Sequence, residues 1–400
     1  MDNPTNFHTN LLHPADRGGC CHYRCTFPSW YVQTIRRDIR IIESTKFIPI
    51  PDFYRDIRSV RIQRQISDDQ CSYILNFLKP VSNRFGFWLI YEIDDVIGMD
   101  DIPKYNSGWE AYQNIKLMQN VCQILSVCDF ITVTTRTLGN YFVKKFGVDK
   151  EKIVIVPNYV PRWWMDGYYN EDKISKRFDD NKAKPTLVFA SSTTHFDIFN
   201  RTNGVDDFTH VNDFVRSTAD KYNWFFLGGV SRQLFDLAND KKIKYIPGYD
   251  ILNYPRLLND INPDLIIAPL QDNIFNNSKS NIKFIETAAL GIPCICQNLI
   301  PYRDYTNLLF NNANDLQNQI DNLLGNKENY MDVVKNHRNI VDNGDKNSPK
   351  GWWLENNIDK WTELFTLPQR TLAFDLTKKP EQPQQSNKIT SVDDIKFTKE

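Results

Sequence analysis

Lys279, Lys283 and Glu286 sit within one short stretch, Ser278–Pro293 (SKSNIKFIETAALGIP), and their spacing suggests chemistry on a phosphate. The run that enters it, Asp264–Leu270 (DLIIAPL), is apolar and strand-sized, and a polar, flexible loop is expected over Gln271–Asn277. An amphipathic helix then begins near Ser280, with Ile282, Ile285, Ala288 and Ala289 on one face and Lys283 and Glu286 beside it. Gly291 and Pro293 stop it, and Cys294–Gln297 reads as the next buried strand. A helix N-terminus that follows a strand and a lysine-bearing loop offers amide N–H groups, the positive end of the helix dipole and an ammonium, which together favour phosphate. The alternative is a surface helix of another doubly wound fold.

Other residues with chemical potential lie at strand ends. Gly86–Ile93 (GFWLIYEI) reads as a central strand ending in Asp94 and Asp95, and carboxylates there point into the ligand crevice of an open α/β sheet. One could take a proton from a hydroxyl, although aspartate equally suits a helix cap or a turn. Because side chains alternate along a strand, one of the pair is expected to be functional and the other structural. Ser192, Thr193, Thr194 and His195 follow the strand Thr186–Ala190 and offer amides, hydroxyls and an imidazole; His195 reads as a ligand contact or a structural hydrogen-bonder. Gly18 and Gly19 follow a first strand over Phe7–His13 and allow a tight turn or close backbone approach to a ligand. Arg24 opens a helical stretch towards Arg37. From Arg24 to Arg64, eight arginines and a lysine face four carboxylates, which describes a solvated face or a phosphate-facing surface. Cys20, Cys21, His22 and Cys25 crowd one loop without the paired CxxC arms of a zinc site, so reduced thiols and no metal are expected.

Stepping outward, 400 residues suffice for two domains, and the net charge of −1 with 41% hydrophobic residues fits a globular class. No secretory signal opens the sequence and no apolar run reaches membrane-spanning length, so a cytoplasmic protein is expected. Strands are predicted at Arg40–Glu43, Val60–Gln63, Phe130–Thr134 and Lys152–Val156, and helices at Ser67–Val81, Gly108–Val127 and Thr135–Phe146. Trp163–Ala183 has no clear period. Beyond it come strand ends at Trp224–Gly229 and Lys244–Gly248, then helices over Leu316–Leu324, Tyr330–Val341 and Gly351–Phe365, the last with an aromatic stripe.

With these elements in place, Ala268–Pro293 resembles the donor-binding element of GT-B glycosyltransferases. The resemblance implies that the lysines and helix amides hold the diphosphate of a sugar nucleotide and that Glu286 holds the ribose hydroxyls. Many relatives carry a second glutamate, for the sugar, where this chain has Ser278. A narrower branch shows an FNxxKSxxK pattern, matched by Phe275, Asn276, Lys279, Ser280 and Lys283. YEIDD (Tyr91–Asp95) resembles that branch's YxIDD strand end, and DFITVTT followed by KIVIVPN resembles the last strands of a GT-B N-terminal domain. GGCCHYR is similar to the starts of phage glycosyltransferases. The GR…KG phosphate grip of other relatives is replaced here by Ser192–His195.

The implied fold is α/β, GT-B: two Rossmann-like domains facing across a cleft, with a C-terminal helix packing back on both. Residues 1–165 form the acceptor-side domain, 184–345 the nucleotide-sugar domain, 346–375 the crossing helix and 376–400 a disordered tail. The implied activity moves a sugar of glucose or arabinose type from a UDP-sugar to the hydroxyl of 5-hydroxymethylcytosine in phage DNA, without metal or cofactor. Asp94 and Asp95 would be catalytic. Gly18, Gly19, Ser192, Thr193, His195, Asn276, Lys279, Ser280, Lys283 and Glu286 would bind the donor, and Arg24, Arg37, Arg58 and Arg64 the acceptor. The partners would be a nucleotide sugar and double-stranded DNA, with no membrane. Two alternatives stand: a transferase of surface polysaccharide synthesis, and a non-catalytic DNA- or sugar-nucleotide-binding module. Ser278 suits the module; the retained Lys279, Lys283 and Glu286 argue against it.

Overall fold

The computed structural model describes residues 7–370, which fall into two compact units. Unit 1 holds the residues up to Met99, Tyr112–Pro157, and those from Ile358 on; unit 2 holds Asp100–Ala111 and Asn158–Asn357.

Unit 1 is built on six strands: β1 (His8–His13), β2 (Ile39–Glu43), β3 (Ile57–Gln63), β4 (Trp88–Glu92), β5 (Phe130–Val133) and β6 (Ile153–Ile155). They form one parallel sheet in the order β2-β1-β3-β4-β5-β6. Parallel sheets are covered on both faces, and so β4 reads as an almost continuous apolar run, with Leu89, Ile90 and Tyr91 fully buried. The order reverses between β1 and β3, where the loops after their C-terminal ends flank a crevice.

Unit 2 repeats the theme with β7 (Thr186–Ser191), β8 (Asn223–Gly228), β9 (Lys244–Ile246), β10 (Leu265–Ala268), β11 (Cys294–Gln297) and β12 (Leu309–Phe310). Its parallel order, β12-β11-β10-β7-β8-β9, is that of a dinucleotide-binding Rossmann sheet. The chain runs outward from β7 to β9, then returns to the other side of β7 as β10. The switch point therefore lies between β7 and β10. The core is rich in aromatic residues, including Phe189, Phe196, Phe208, Trp224 and Phe226.

Three expectations need correction. Gly108–Val127 is not one helix: Trp109–Tyr112 and Ile115–Val127 are separate, and the Asn114 side chain caps the second by accepting from Lys116 N at 2.9 Å. Gly351–Phe365 is likewise not continuous. Gly351 takes φ +82, which ends the preceding turn, and Trp353 runs extended, bridged to Val160. The helix starts only at Ile358 and keeps Trp361, Leu364 and Phe365 buried. Trp163–Ala183, which shows no clear period, contains a helix over Glu171–Asp180, started by an Asn170 cap and anchored by buried Ile174 and Phe178. The segment 376–400, expected to be disordered, lies outside the described residues. Among the described residues no helix is long and apolar enough to cross a membrane.

Candidate functional site

In unit 2 the switch point brings together the turn after β7 and the loop and helix after β10. The loop is not a flexible tract: Asn273 caps a helical turn over Ile274–Asn277, its side chain accepting from Asn276 N at 2.9 Å, and Phe275 and Asn276 are buried. The following helix, Ile282–Ala289, is buried on more than one face, with Phe284, Ile285, Glu286, Thr287, Ala288 and Ala289 all inside; Ile282, placed on the apolar face from sequence, is half-buried. Its first-turn amides have no intrahelical acceptor, the general condition of a helix N-terminus.

Around that N-terminus stand the predicted donor residues. Lys283 Nζ lies 3.0 Å from Glu286 Oε2 and 3.3 Å from the Tyr254 hydroxyl. Burial alone would lower the Lys283 ammonium, but Glu286, with Tyr254 and Tyr249, carries it well above its ordinary value, so the lysine stays charged. Tyr249 stacks on Tyr254 with centroids 5.5 Å apart. Lys279 is half-buried, its ammonium 4.6 Å from the centre of the Phe275 ring, and Ser280 Oγ accepts from Asn158 Nδ2 at 2.9 Å. Across the switch point, Ser192 and Thr193 are exposed after β7, and Ser192 Oγ lies 2.6 Å from Thr194 Oγ1.

His195 and Asn276 meet on a residue that the sequence reading missed. Asp207 Oδ2 lies 2.7 Å from His195 Nδ1, while Asp207 Oδ1 accepts from the Tyr105 hydroxyl (2.6 Å), Asn276 Nδ2 (2.6 Å) and Gln271 N (2.8 Å). Asn276 is therefore an internal strut with no exposed surface, which corrects its assignment as a donor contact. Asp207 and Tyr105 gave no local signal, because the loop after β7 and the segment Asp100–Ala111 are distant in sequence and meet only in the fold.

In unit 1 the crevice between β1 and β3 collects Gly18, Arg64, Asp94 and Asp95. Gly18 N donates to Asp16 Oδ1 at 2.7 Å, and its φ of −80 is ordinary, so a plain turn accounts for that glycine. Arg64 sits just past β3 at φ +47, a left-handed conformation that costs a non-glycine residue of order 1 kcal/mol or more. Its guanidinium faces Asp16 at 3.0 Å, Asp94 at 3.5 Å and Asp95 at 3.8 Å. Asp94 above all, then Cys20, Asp95 and Asp16, raise the Arg64 pKa, so it stays a cation. The two aspartates lie beyond the end of β4 and reach the same arginine; strand alternation, which predicted opposite faces, does not apply to them. Asp94 is the more buried, its side chain 7% exposed against 27% for Asp95. Cys20, Asp94 and Asp95 place ligand-type atoms within 4.8 Å of one another, but the Arg64 guanidinium already supplies the positive charge there.

The arginine-rich stretch divides sharply. Arg24 is fully buried: Nε donates to Glu92 Oε1 at 2.7 Å and Nη2 to Glu92 Oε2 at 3.2 Å, with the Trp361 ring 5.0 Å away. It has no surface for an acceptor and is corrected to a core ion pair. Arg61 is also buried, between Trp361 and Phe365. Arg37 is exposed, and Arg58 is half-buried with Nη1 donating to Gln369 Oε1 at 2.8 Å.

No family model matches the chain, and no curated protein matches it in sequence. Solved structures do match in fold. A glycosyltransferase from Rickettsia africae aligns with a TM-score of 0.57 at 15% identity, covering 90% of this chain and 98% of that one. Anabaena Alr3699/HepE, solved in complex with UDP-glucose, aligns with a TM-score of 0.59 at 11% identity, covering 89% and 98%. The fold is thus α/β of the GT-B kind, with two six-stranded parallel sheets.

Proposed function

We propose that this chain is a glycosyltransferase that uses a UDP-sugar. The observation that carries the reading is the switch point of unit 2. There Lys279, Ser280 and the Lys283–Glu286 pair stand on or just before the helix Ile282–Ala289, and the Ser192–His195 turn follows the strand β7 that pairs with β10. It is supported by the fold shared with HepE, whose structures hold UDP and UDP-glucose. In the reaction, the acceptor oxygen bonds to the anomeric carbon as the bond from that carbon to the diphosphate oxygen breaks. The electron pair moves onto the diphosphate, where Lys279, Lys283 and the helix amides offset the growing charge without a metal. The acceptor proton passes to Asp94 or Asp95, which Arg64 orients, while Gly18 and Gly19 shape the loop beside them.

The acceptor we propose is 5-hydroxymethylcytosine in DNA, with glucose or arabinose as the sugar, on the similarity of the GGCCHYR and KSNIKFIE segments to phage enzymes. Arg37, Arg58 and Arg64 remain as contacts. A glycan acceptor is the second reading, favoured by the burial of Arg24 and Arg61, which thins the basic surface. The test is mass spectrometry of nucleosides after incubation with hydroxymethylated DNA and a panel of UDP-sugars. A hexose or pentose mass added to hydroxymethylcytosine is expected; UDP release on a glycan with unmodified nucleosides selects the second reading.

A further inference from the structure

The chain carries a buried carboxylate on which four donors converge from three separate segments, and one of the four is an imidazole at the switch point. Asp207 is 2% exposed at its side chain. Three donors crowd Oδ1, from the Tyr105 hydroxyl, the Asn276 amide and the Gln271 backbone, so no acid proton can sit on that oxygen. Oδ2 faces His195 Nδ1 at 2.7 Å. With Oδ1 filled by three donors, Oδ2 is left to accept, and the geometry assigns the ring proton to Nδ1. The ring is thereby fixed in one orientation, with Nε2 as its second pole. A further proton on Nε2 yields an imidazolium whose burial cost the neighbouring carboxylate offsets.

We propose that Asp207 is a positioning residue that sets His195 as a proton-gated contact for the donor's diphosphate, so that UDP binding takes up a proton. The inference rests on the reading of unit 2 as a UDP-sugar site. His195 lies in the turn Thr193–His195, directly after β7 and Ser192, and the Gln271 and Asn276 donors come from the loop that leads to Lys279 and the helix N-terminus. The two sides of the switch point are therefore joined through Asp207. A doubly ionised diphosphate terminus placed against Nε2 favours the imidazolium, whose N–H would donate to a phosphate oxygen.

Other charged or titratable groups surround this pair. Asp206 and Asp197 share the loop; Tyr105 and Tyr302 come from other segments; Lys279, Lys283 and Glu286 lie across the switch point. Burial pushes Asp206 up to about 6, and burial carries both tyrosines upward. The terminal phosphate of UDP itself titrates near pH 6. A window from pH 7 to 8.5 therefore lies above the titration of Asp206 and of the UDP phosphate.

The experiment is calorimetric titration of UDP into the full chain at pH 7.5, in two buffers of unlike ionisation enthalpy, together with affinities at pH 7 and 8.5. The wild type is expected to take up a fraction of a proton and to lose affinity several-fold at the higher pH. His195→Gln, at a side chain 16% exposed, should bind UDP more weakly with no uptake and no pH dependence. In Asp207→Asn the amide can donate to Nδ1, so Nε2 carries the proton in a neutral ring; weak binding without uptake is expected. Were Asp207→Asn to unfold, Tyr105→Phe supplies the second arm, with the uptake reduced. Wild-type binding without proton uptake, or uptake that survives in His195→Gln, overturns the proposal while leaving the UDP-sugar reading intact. No UDP binding at any pH overturns both.

Discussion

His13 shows how a single side chain records its surroundings. It ends β1, fully buried, with Nδ1 2.8 Å from Ser44 O and its ring edge-on to Phe47. Burial drives its pKa down to about 4 from the ordinary 6.5, against the pull of the Ser44 carbonyl. Below pH 6.5 the unfolded chain takes up a proton that the folded protein refuses until about pH 4, so this residue's contribution to stability falls as pH falls. The difference in unfolding free energy between wild type and His13→Gln should shrink by about 3 kcal/mol between pH 7 and pH 4. Urea unfolding at the two values checks this, and a pH-independent difference would show that the folded histidine takes up its proton as readily as the unfolded one. At this scale the sequence was readable where a residue's role is local. Lys283 and Glu286, expected on one helix, lie there three apart, although their pairing was not anticipated. It was silent on Asp207 and Tyr105, which meet only through the sheet topology, and it misled at Arg24, because a charged residue in an arginine-rich stretch carries no mark of burial.

Strands were legible where a parallel, doubly covered strand is a short apolar run bounded by loops, as in β7 and β10, while the two-residue β12 gave no such signal. The long elements failed where one residue interrupts the pattern. Asn114 restarts a helix inside Gly108–Val127, and Gly351, at φ +82, turns an aromatic stripe into an extended bridge followed by a helix. Gly228, the last residue of β8, pairs with Ser191 at φ +88, and a Cβ there would lie 2.5 Å from Ser191 O. Gly228→Ala should therefore cost about 1–3 kcal/mol in strain and also displace the Ser192–His195 turn, weakening UDP binding. Gly147→Ala, at φ +63 with open space around the new atom, should show a smaller stability loss of about 1–2 kcal/mol and unchanged UDP affinity. Thermal melts and UDP titrations of both variants decide it; equal UDP affinities would separate the turn from the donor site.

For the whole molecule, the two sheets have different orders, and each has a switch point where the predicted residues gather. Asp94, Asp95 and Arg64 collect on unit 1, and Lys279, Lys283, Glu286 and His195 on unit 2. The second of these is the proposed site for a nucleoside diphosphate. Its most direct test is calorimetric titration of UDP into wild type and Lys279→Ala. Saturable binding by the wild type is predicted, weakened in the variant by about 1.5–3 kcal/mol, the range for a charge-assisted hydrogen bond. A folded Lys279→Ala protein that binds UDP as tightly as the wild type, or a wild type that binds none, would contradict it.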